Sequence, residues 1–291
     1  LLERVVKIMT VTNSTAFELE KEYIARYSEW ILNAFEPLMA NGGIMNMVRG
    51  RGTDSSEEYA DASAVYASML DMIELVDDSA KEGFKKMLKR QLVGNAYDYA
   101  ISNLTPSQIL KLKSILNEDI VAGVYDLSKV YYNMDRVVHH KDGFSAGLSM
   151  SSERIATYES IDDCNKEGWY TSDGMLYVYN HSDDNPYGVD YFTYADPYKR
   201  PGTTADVRER SSEEVPYGKE YFPNQSFVGG VSLDDKYTVA AMALESYNNT
   251  ETGKELRECD LTAKKAWFFF DDEIVALGSD IKSTDNAEVR T

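Results

Sequence analysis

The spacing of apolar residues changes period once along the chain, near residue 122, and that change divides it into a helical half and a strand-and-loop half. Upstream, residues 17–39 carry Leu19, Tyr23, Tyr27, Trp30, Ile31, Ala34, Phe35 and Leu38 at three- and four-residue steps, an amphipathic helix ending near Pro37 with Trp30 turned toward its packed side. Residues 56–75 repeat the pattern through Tyr59, Ser63, Tyr66, Met69, Leu70 and Ile73. A further helix is expected over residues 79–99. Another is expected over residues 107–117, with Thr105 as N-cap and Pro106 at the first helical position. Downstream of Val124, residues 175–179, 237–244 and 266–277 are rich in Val, Tyr, Phe and Ile, with turn residues at 181–185, at Pro201-Gly202 and at Asp271-Asp272. Helices followed by strands predict an α+β chain of two domains, residues 1–122 and 123–291, and not a βαβ fold.

Charge limits the partners. The chain of 291 residues carries 30 basic and 49 acidic side chains, a formal net charge of -19. Nucleic acid and anionic membrane surfaces are therefore excluded as general partners, since both need a cationic surface. An acidic polysaccharide would be repelled too, unless a local group of Arg and Lys overcame the bulk field. Screening beyond about 8–10 Å at physiological salt permits that. Cys164 and Cys259 show no ligand spacing, so no zinc site and no disulfide is expected, and each reads as free or buried. No apolar run is long enough to span a bilayer, and no secretion signal is visible at the start. The opening LLERVVKIM reads like the middle of a helix, with the expectation that residues precede it.

Two regions carry candidate chemistry. In FEPLMANGGIMNMVRGRGTDSS, residues 35–56, Arg49 and Arg51 sit on permissive glycine-rich backbone, where planar guanidinium forks can hold a carboxylate or sulfate in two hydrogen bonds. Read alone, the same segment is more simply a capped loop with surface arginines, given how often short motifs match by chance. The second region is YESIDDCN, Tyr158 to Asn165, followed by GWYT and Asp173-Gly174. Alone, Glu159 could be a cross-strand ion-pair partner. Tyr170, Tyr177, Tyr179, Tyr191, Tyr194 and Tyr198 could stack on sugar rings, although core packing is the commoner use of such residues, and Trp169 and Trp267 read as core for the same reason. The connector at residues 203–216, containing DVRERSSEE, reads as a solvated loop. A minority reading lets Arg208 and Arg210 touch an acidic sugar.

The stretch NMDRVVHHKDGFSAGLSMSSERIATYESIDDCNKEGWYTSDGMLYVYN, followed by DYFTYADPYKRPGTT, resembles block for block the junction region of polysaccharide lyase family 8, as do FVGG, LDD and KKAWFFFDDEIVALGSDI further on. That family holds hyaluronate, chondroitin AC and ABC, and xanthan lyases. The resemblance implies the last part of an (α/α) toroid, joined near residues 122–130 to the first strands of a large antiparallel β-sandwich. It also implies β-elimination on a uronate-containing acidic polysaccharide, with no cofactor and no metal, outside the cell or in the periplasm. Arg51 matches the arginine beside the catalytic tyrosine, and Glu159 matches the glutamate that orients it. Arg49, Asp162 and Asn165 are the candidate substrate contacts. Ser55 stands where many relatives have a further Arg in RGRxxxR, and Asp162 where relatives commonly have Asn.

The resemblance also places a His followed nine positions later by the catalytic Tyr, with an Asn earlier still. His139, His140 and His181 are instead followed by Leu148, Ser149 and Asp190 at that spacing, and the HH block reads as framework. The expectation is therefore that the base and the Asn belong to polypeptide upstream, that more follows downstream, and that this chain alone is inactive and associates through open strand edges. Two alternatives stay open. One is a non-catalytic carbohydrate-binding relative. The other is an inverting glycoside hydrolase using Glu159 and an Asp, which needs carboxyls about 6.5–9.5 Å apart.

Overall fold

The computed structural model describes all residues except 56, 182–184, 211, 213–221, 246–259 and 285–286. Cys259, Ser56, the middle of the expected 181–185 turn and the end of the 203–216 connector lie outside the described residues. The chain forms two compact units, one of Leu1–Met45, Ser56–Val124 and His181–Asn185, the other of Asn46–Ser55, Tyr125–Asn180 and Pro186–Thr291.

The first unit is built on α1 (Leu2–Thr12), α2 (Lys21–Trp30), α3 (Glu58–Met72), α4 (Asp78–Gln91), α5 (Asn95–Asn103) and α6 (Pro106–Leu116), with a small hairpin of β1 (Met39–Ala40) and β2 (Gly43–Ile44). The core is fully enclosed at Met69, Leu70, Met72, Phe84, Met87, Leu88 and Leu112. Helix α3 buries eleven of its fifteen residues, because α1, α5 and α6 all pack on it. Helix α6 starts where its sequence says it should. Thr105 and Gln108 form a reciprocal capping box, and Pro106 needs no intrahelical N–H partner at that position.

Two helical expectations are corrected. Residues 79–99 are not one helix, because Gly94 takes a left-handed φ of 54° and ends the run between α4 and α5. In α2 the buried seam is Ile24 and Ser28, continued by Ile31, while Trp30 is 45% exposed and Tyr23 46%. The amphipathic rings of Tyr and Trp tolerate the wet flank of the helix, and Tyr27 and Trp30 pack on each other there with centroids 4.7 Å apart. Beyond Trp30 the helix widens into a π turn at Ile31–Phe35 and tightens into a 3₁₀ turn at Glu36–Leu38, since Pro37 has no N–H for the α ladder. Buried Glu36 accepts from Arg90 at 3.0 Å; burial raises its pKa and the guanidinium partly offsets that.

In the second unit β3 (Leu127–Tyr131), β4 (Arg136–Lys141), β5 (Phe144–Ser149) and β6 (Met175–Asn180) form one antiparallel meander. After a short α7 (Val189–Tyr194) and β7 (Ala205–Val207), a second meander follows in β8 (Val228–Leu233), β9 (Tyr237–Glu245), β10 (Thr262–Phe269) and β11 (Ile274–Lys282). Strand β12 (Glu288–Arg290) returns to pair with β7. The two meanders share a core of Val130, Val137, Leu148 and Met150 from one and Ala240, Met242, Leu244, Ala263, Trp267 and Phe269 from the other. Strand β9 alternates buried and more open positions, the pattern of a sheet packed on one face.

Trp169, Trp267, Tyr170, Tyr177 and Tyr179 are core residues. His139 and His140 are buried framework in β4. The reading of 203–216 as a wholly solvated loop is corrected: Asp206 is fully buried in β7, and the nearly buried Arg210 grips it at 2.6 and 2.7 Å and also donates to the Tyr170 hydroxyl. A buried carboxylate needs such a partner, so Arg210 is committed inward.

Candidate active site

The site is assembled within the second unit from the 46–55 segment and the loop 155–168. Asn46 anchors the first. Its side-chain amide donates to the carbonyls of Thr53 (3.1 Å) and Tyr187 (2.7 Å), and its backbone N–H donates to the Tyr179 hydroxyl at 3.0 Å. Arg136 of β4 makes the second clamp, donating Nε to Met47 O (3.2 Å), Nη1 to Met150 O (2.6 Å) and Nη2 to Ser172 Oγ (3.3 Å). Burial without a strong acidic partner lowers its pKa to about 10, still far above neutrality, so the clamp is a cation held by carbonyls. The backbone from 46 to 48 is thus fixed to the sheet before the arginines are reached.

The next turn, Gly50–Asp54, carries Arg51. Glu159 lies in the facing loop and binds it twice, accepting the Arg51 backbone N–H at Oε2 (3.1 Å) and the guanidinium at Oε1 (3.4 Å). Asp162 Oδ2 stands 3.8 Å from Arg51 Nη2. The Arg51 side chain remains 44% exposed, so the pair supplies a fixed, reachable cation and little stability. Arg49 turns the other way and closes the turn on itself, donating to Ser55 O (3.1 Å) and Ser55 Oγ (3.0 Å). Asn165 is 5% exposed and donates its amide inward to Glu159 O at 2.9 Å, while its own N–H is accepted by Asp54.

A cleft of about 300 Å³ opens beside this pair, lined by Asn46, Gly50, Thr53, Tyr158, Glu159, Asn165 and Tyr177 among others. Tyr177 is 1% exposed and burial raises its hydroxyl pKa, so its ring belongs to the packed wall of the cleft. His139 and His140 are equally enclosed, and His181 belongs to the other unit. Among the described residues no group of three or more His, Cys, Asp or Glu is arranged to hold a metal, and no helix is long and apolar enough to cross a membrane. Cys164 is unbridged.

The geometry therefore joins Arg51, Glu159, Asp162 and Asn165 and leaves Arg49 facing its own turn. Sequence reasoning missed Asp54, Asn46 and Arg136. An Asp closing a glycine-rich turn is a frequent acceptor, but nothing local names a partner more than a hundred positions away.

The model of the polysaccharide lyase family 8 super-sandwich domain matches residues 126–291, and that of the family's N-terminal α-helical domain matches residues 1–90. The chain belongs to polysaccharide lyase family 8. It is 33% identical over 298 residues to a hyaluronate lyase of Staphylococcus aureus, an alignment covering 99% of this chain and 35% of that protein. It is 32% identical over 296 residues to a xanthan lyase of Bacillus sp., covering all of this chain and 30% of that protein. The solved structure of a Paenibacillus xanthan lyase superposes with a TM-score of 0.84 at 31% identity, over 99% of this chain and 26% of that one. A Streptomyces coelicolor chondroitin AC lyase, at 24% identity and the same TM-score, shares the fold. The chain thus spans about a third of the length of the curated relatives it matches. A family helical domain followed by the super-sandwich is the α+β architecture expected from the sequence.

Proposed function

We propose that this chain forms the Arg51–Glu159 side of the active site of a lyase that cleaves uronate-containing polysaccharide by β-elimination. The observation that carries the reading is the half-exposed Arg51, held by Glu159 once at its backbone N–H and once at its guanidinium, with Glu159 lining a cleft, in a chain of this family. In such an elimination the C5 proton passes to a base, the C4–O bond breaks as the C4=C5 bond forms, and a proton is returned to the glycosidic oxygen. No water is consumed. A cation beside a tyrosine lowers the phenol's pKa and makes it a better base, and a carboxylate that fixes the cation keeps that help aimed.

The base itself, with the Asn and His that flank the uronate carboxylate in the resemblance, belongs in this reading to residues outside the 291. The substrate is an acidic polymer of the hyaluronan, chondroitin or xanthan kind. A polymer cannot enter a cell intact, so the enzyme works outside the cell or in the periplasm. The junction between helical and sheet domains lies near residues 122–130, with Arg49 and Asp162 at the edge of the substrate path. The test is the ultraviolet absorbance of unsaturated product from the complete natural polypeptide given each polymer, with Arg51→Ala alongside. Absorbing product that falls with Arg51→Ala supports the reading. Tight binding without product leaves the carbohydrate-binding alternative, and saturated product leaves the hydrolase.

A further inference from the structure

The loop that carries Glu159 and Asp162 is held in an unfavourable backbone shape. Asp162, Asp163 and Asn165 all adopt left-handed φ, at 57°, 64° and 52°. Asn and Asp tolerate that region better than other side chains, yet each such residue still costs on the order of 1 kcal/mol, so the shape persists only where surrounding bonds impose it. Those bonds can be traced as a closed circuit. Arg51 N–H donates to Glu159 Oε2 at 3.1 Å. The Glu159 carbonyl accepts the Asn165 amide at 2.9 Å. The Asn165 backbone N–H donates to Asp54 Oδ2. Arg51 and Asp54 belong to one tight turn, Gly50–Asp54, which closes the ring. Behind it, Arg200 donates Nη2 to Glu167 O at 3.0 Å and pins the far end of the loop.

We infer that Asp54 is a positioning residue for Arg51, acting through Asn165 and Glu159, and that Asn165 serves this circuit rather than the substrate. The inference rests on the role proposed above for Arg51. Asp54 touches no reacting atom. It offers the acceptor that seats Asn165, Asn165 fixes the backbone of Glu159, and the Glu159 carboxylate sets the direction of the guanidinium. Without Asp54 the left-handed residues lose their tie, and the loop relaxes toward ordinary backbone with Glu159 drawn away from the turn.

The experiment is a double-mutant cycle in the complete natural polypeptide, read as kcat and KM on the polymer it cleaves, together with amide hydrogen exchange on the 291-residue chain. Because displacement of about an ångström at a positioned group can cost up to a hundredfold in rate, Asp54→Ala is expected to lower kcat roughly tenfold with KM within about twofold. Asp54→Asn restores most of the loss, since its amide oxygen accepts the same N–H. Adding Asp54→Ala to Arg51→Ala lowers kcat no further, because the two act as one unit. Exchange at the Arg51 N–H quickens in Asp54→Ala and not in Asp54→Asn. The inference is overturned if Asp54→Ala leaves kcat intact, if its loss multiplies with that of Arg51→Ala, or if Asp54→Asn is as impaired as Asp54→Ala. If Arg51→Ala keeps full kcat, the catalytic reading of Arg51 falls and takes the catalytic role of Asp54 with it, while exchange at Arg51 still reports whether the circuit exists. Should Asp54→Ala not fold, Asn165→Asp removes the donor to Glu159 at equal volume and carries the same expectations.

Discussion

Gly50 and Glu159 approach so closely that a methyl group on Gly50 would stand 2.5 Å from the carboxylate Oε2, the atom that accepts the Arg51 N–H. Gly50 also has φ of 56°, which side chains rarely adopt. Gly50→Ala therefore meets both a clash and a backbone cost of about 1–2 kcal/mol. The expected outcome is a modest fall in melting temperature and a kcat reduced on the order of tenfold in the complete polypeptide, as Glu159 is pushed off the turn. Thermal melts and steady-state kinetics check it, and unchanged kcat would count against the pairing.

Arg136 supports the same turn from below. Arg136→Leu leaves the carbonyls of Met47 and Met150 buried without donors, a loss of about 3 kcal/mol. Arg136→Lys keeps the charge but not the fan of donors and should fall between. Trp169 and Trp267 are buried in this unit and Trp30 is exposed in the other, so tryptophan emission in urea reports mainly on the sheets. A midpoint that does not move would show the carbonyls finding other partners.

His139 predicts a pH dependence. Its ring is buried between Phe144 and Phe269, Nε2 faces the Asp271 carbonyl at 3.3 Å, and burial lowers its pKa, with nearby Lys141 lowering it further and Asp126 opposing. The unfolded chain then binds this proton at higher pH than the folded chain does. Stability from neutral His139 is fully present above its unfolded pKa near 6.5 and is lost progressively as pH falls from there toward its lower folded pKa. Urea midpoints at pH 7.5 and 5 should differ more in the natural chain than in His139→Phe. Equal differences would place the acid sensitivity elsewhere.

The outer face of the second meander presents Val231 and Leu233, each 63% exposed, with Val239, Val275 and Leu277 on the same side. Contiguous apolar surface of this kind drives association. The 291-residue chain is expected to elute as concentration-dependent oligomers in size-exclusion chromatography, and Val231→Lys with Leu277→Lys should shift it toward monomer. A compact monomer at all concentrations would contradict this.

What the sequence made legible was what depends on near neighbours. Thr105, Pro106 and Gln108 lie within one turn, so the start of α6 follows from them directly. Strands β6, β9 and the adjoining ends of β10 and β11 follow from runs of Val, Tyr and Phe, whereas β3, β4, β5 and β8 were not anticipated by them, and the Arg51–Glu159 pairing came through resemblance. The break at Gly94, by contrast, is a single conformational choice inside a strongly helical run. Trp30 misled because hydrophobic size was read as burial, when the seam belonged to Ile24 and Ser28. Arg210 looked solvated because its partner, Asp206, is buried only once β7 pairs with β12. Asp54 was silent for the same reason: its acceptor role exists only after the chain has folded Asn165 onto it.

The residues Asn46–Ser55 group with the sheet unit, although the chain on either side of them belongs to the helical one. The arginine-bearing turn is thus a lodger whose lease is signed by a different domain. A protein trimmed to begin at Tyr125 would fold its meanders with the seat for that turn vacant: Arg136 would lose the Met47 carbonyl, and Glu159 its arginine. Supplying the 46–55 peptide separately would ask it to recover by affinity what covalent continuity provides at no entropic cost. Domain dissection of this chain, however tidy at residue 124, cuts the candidate site in half.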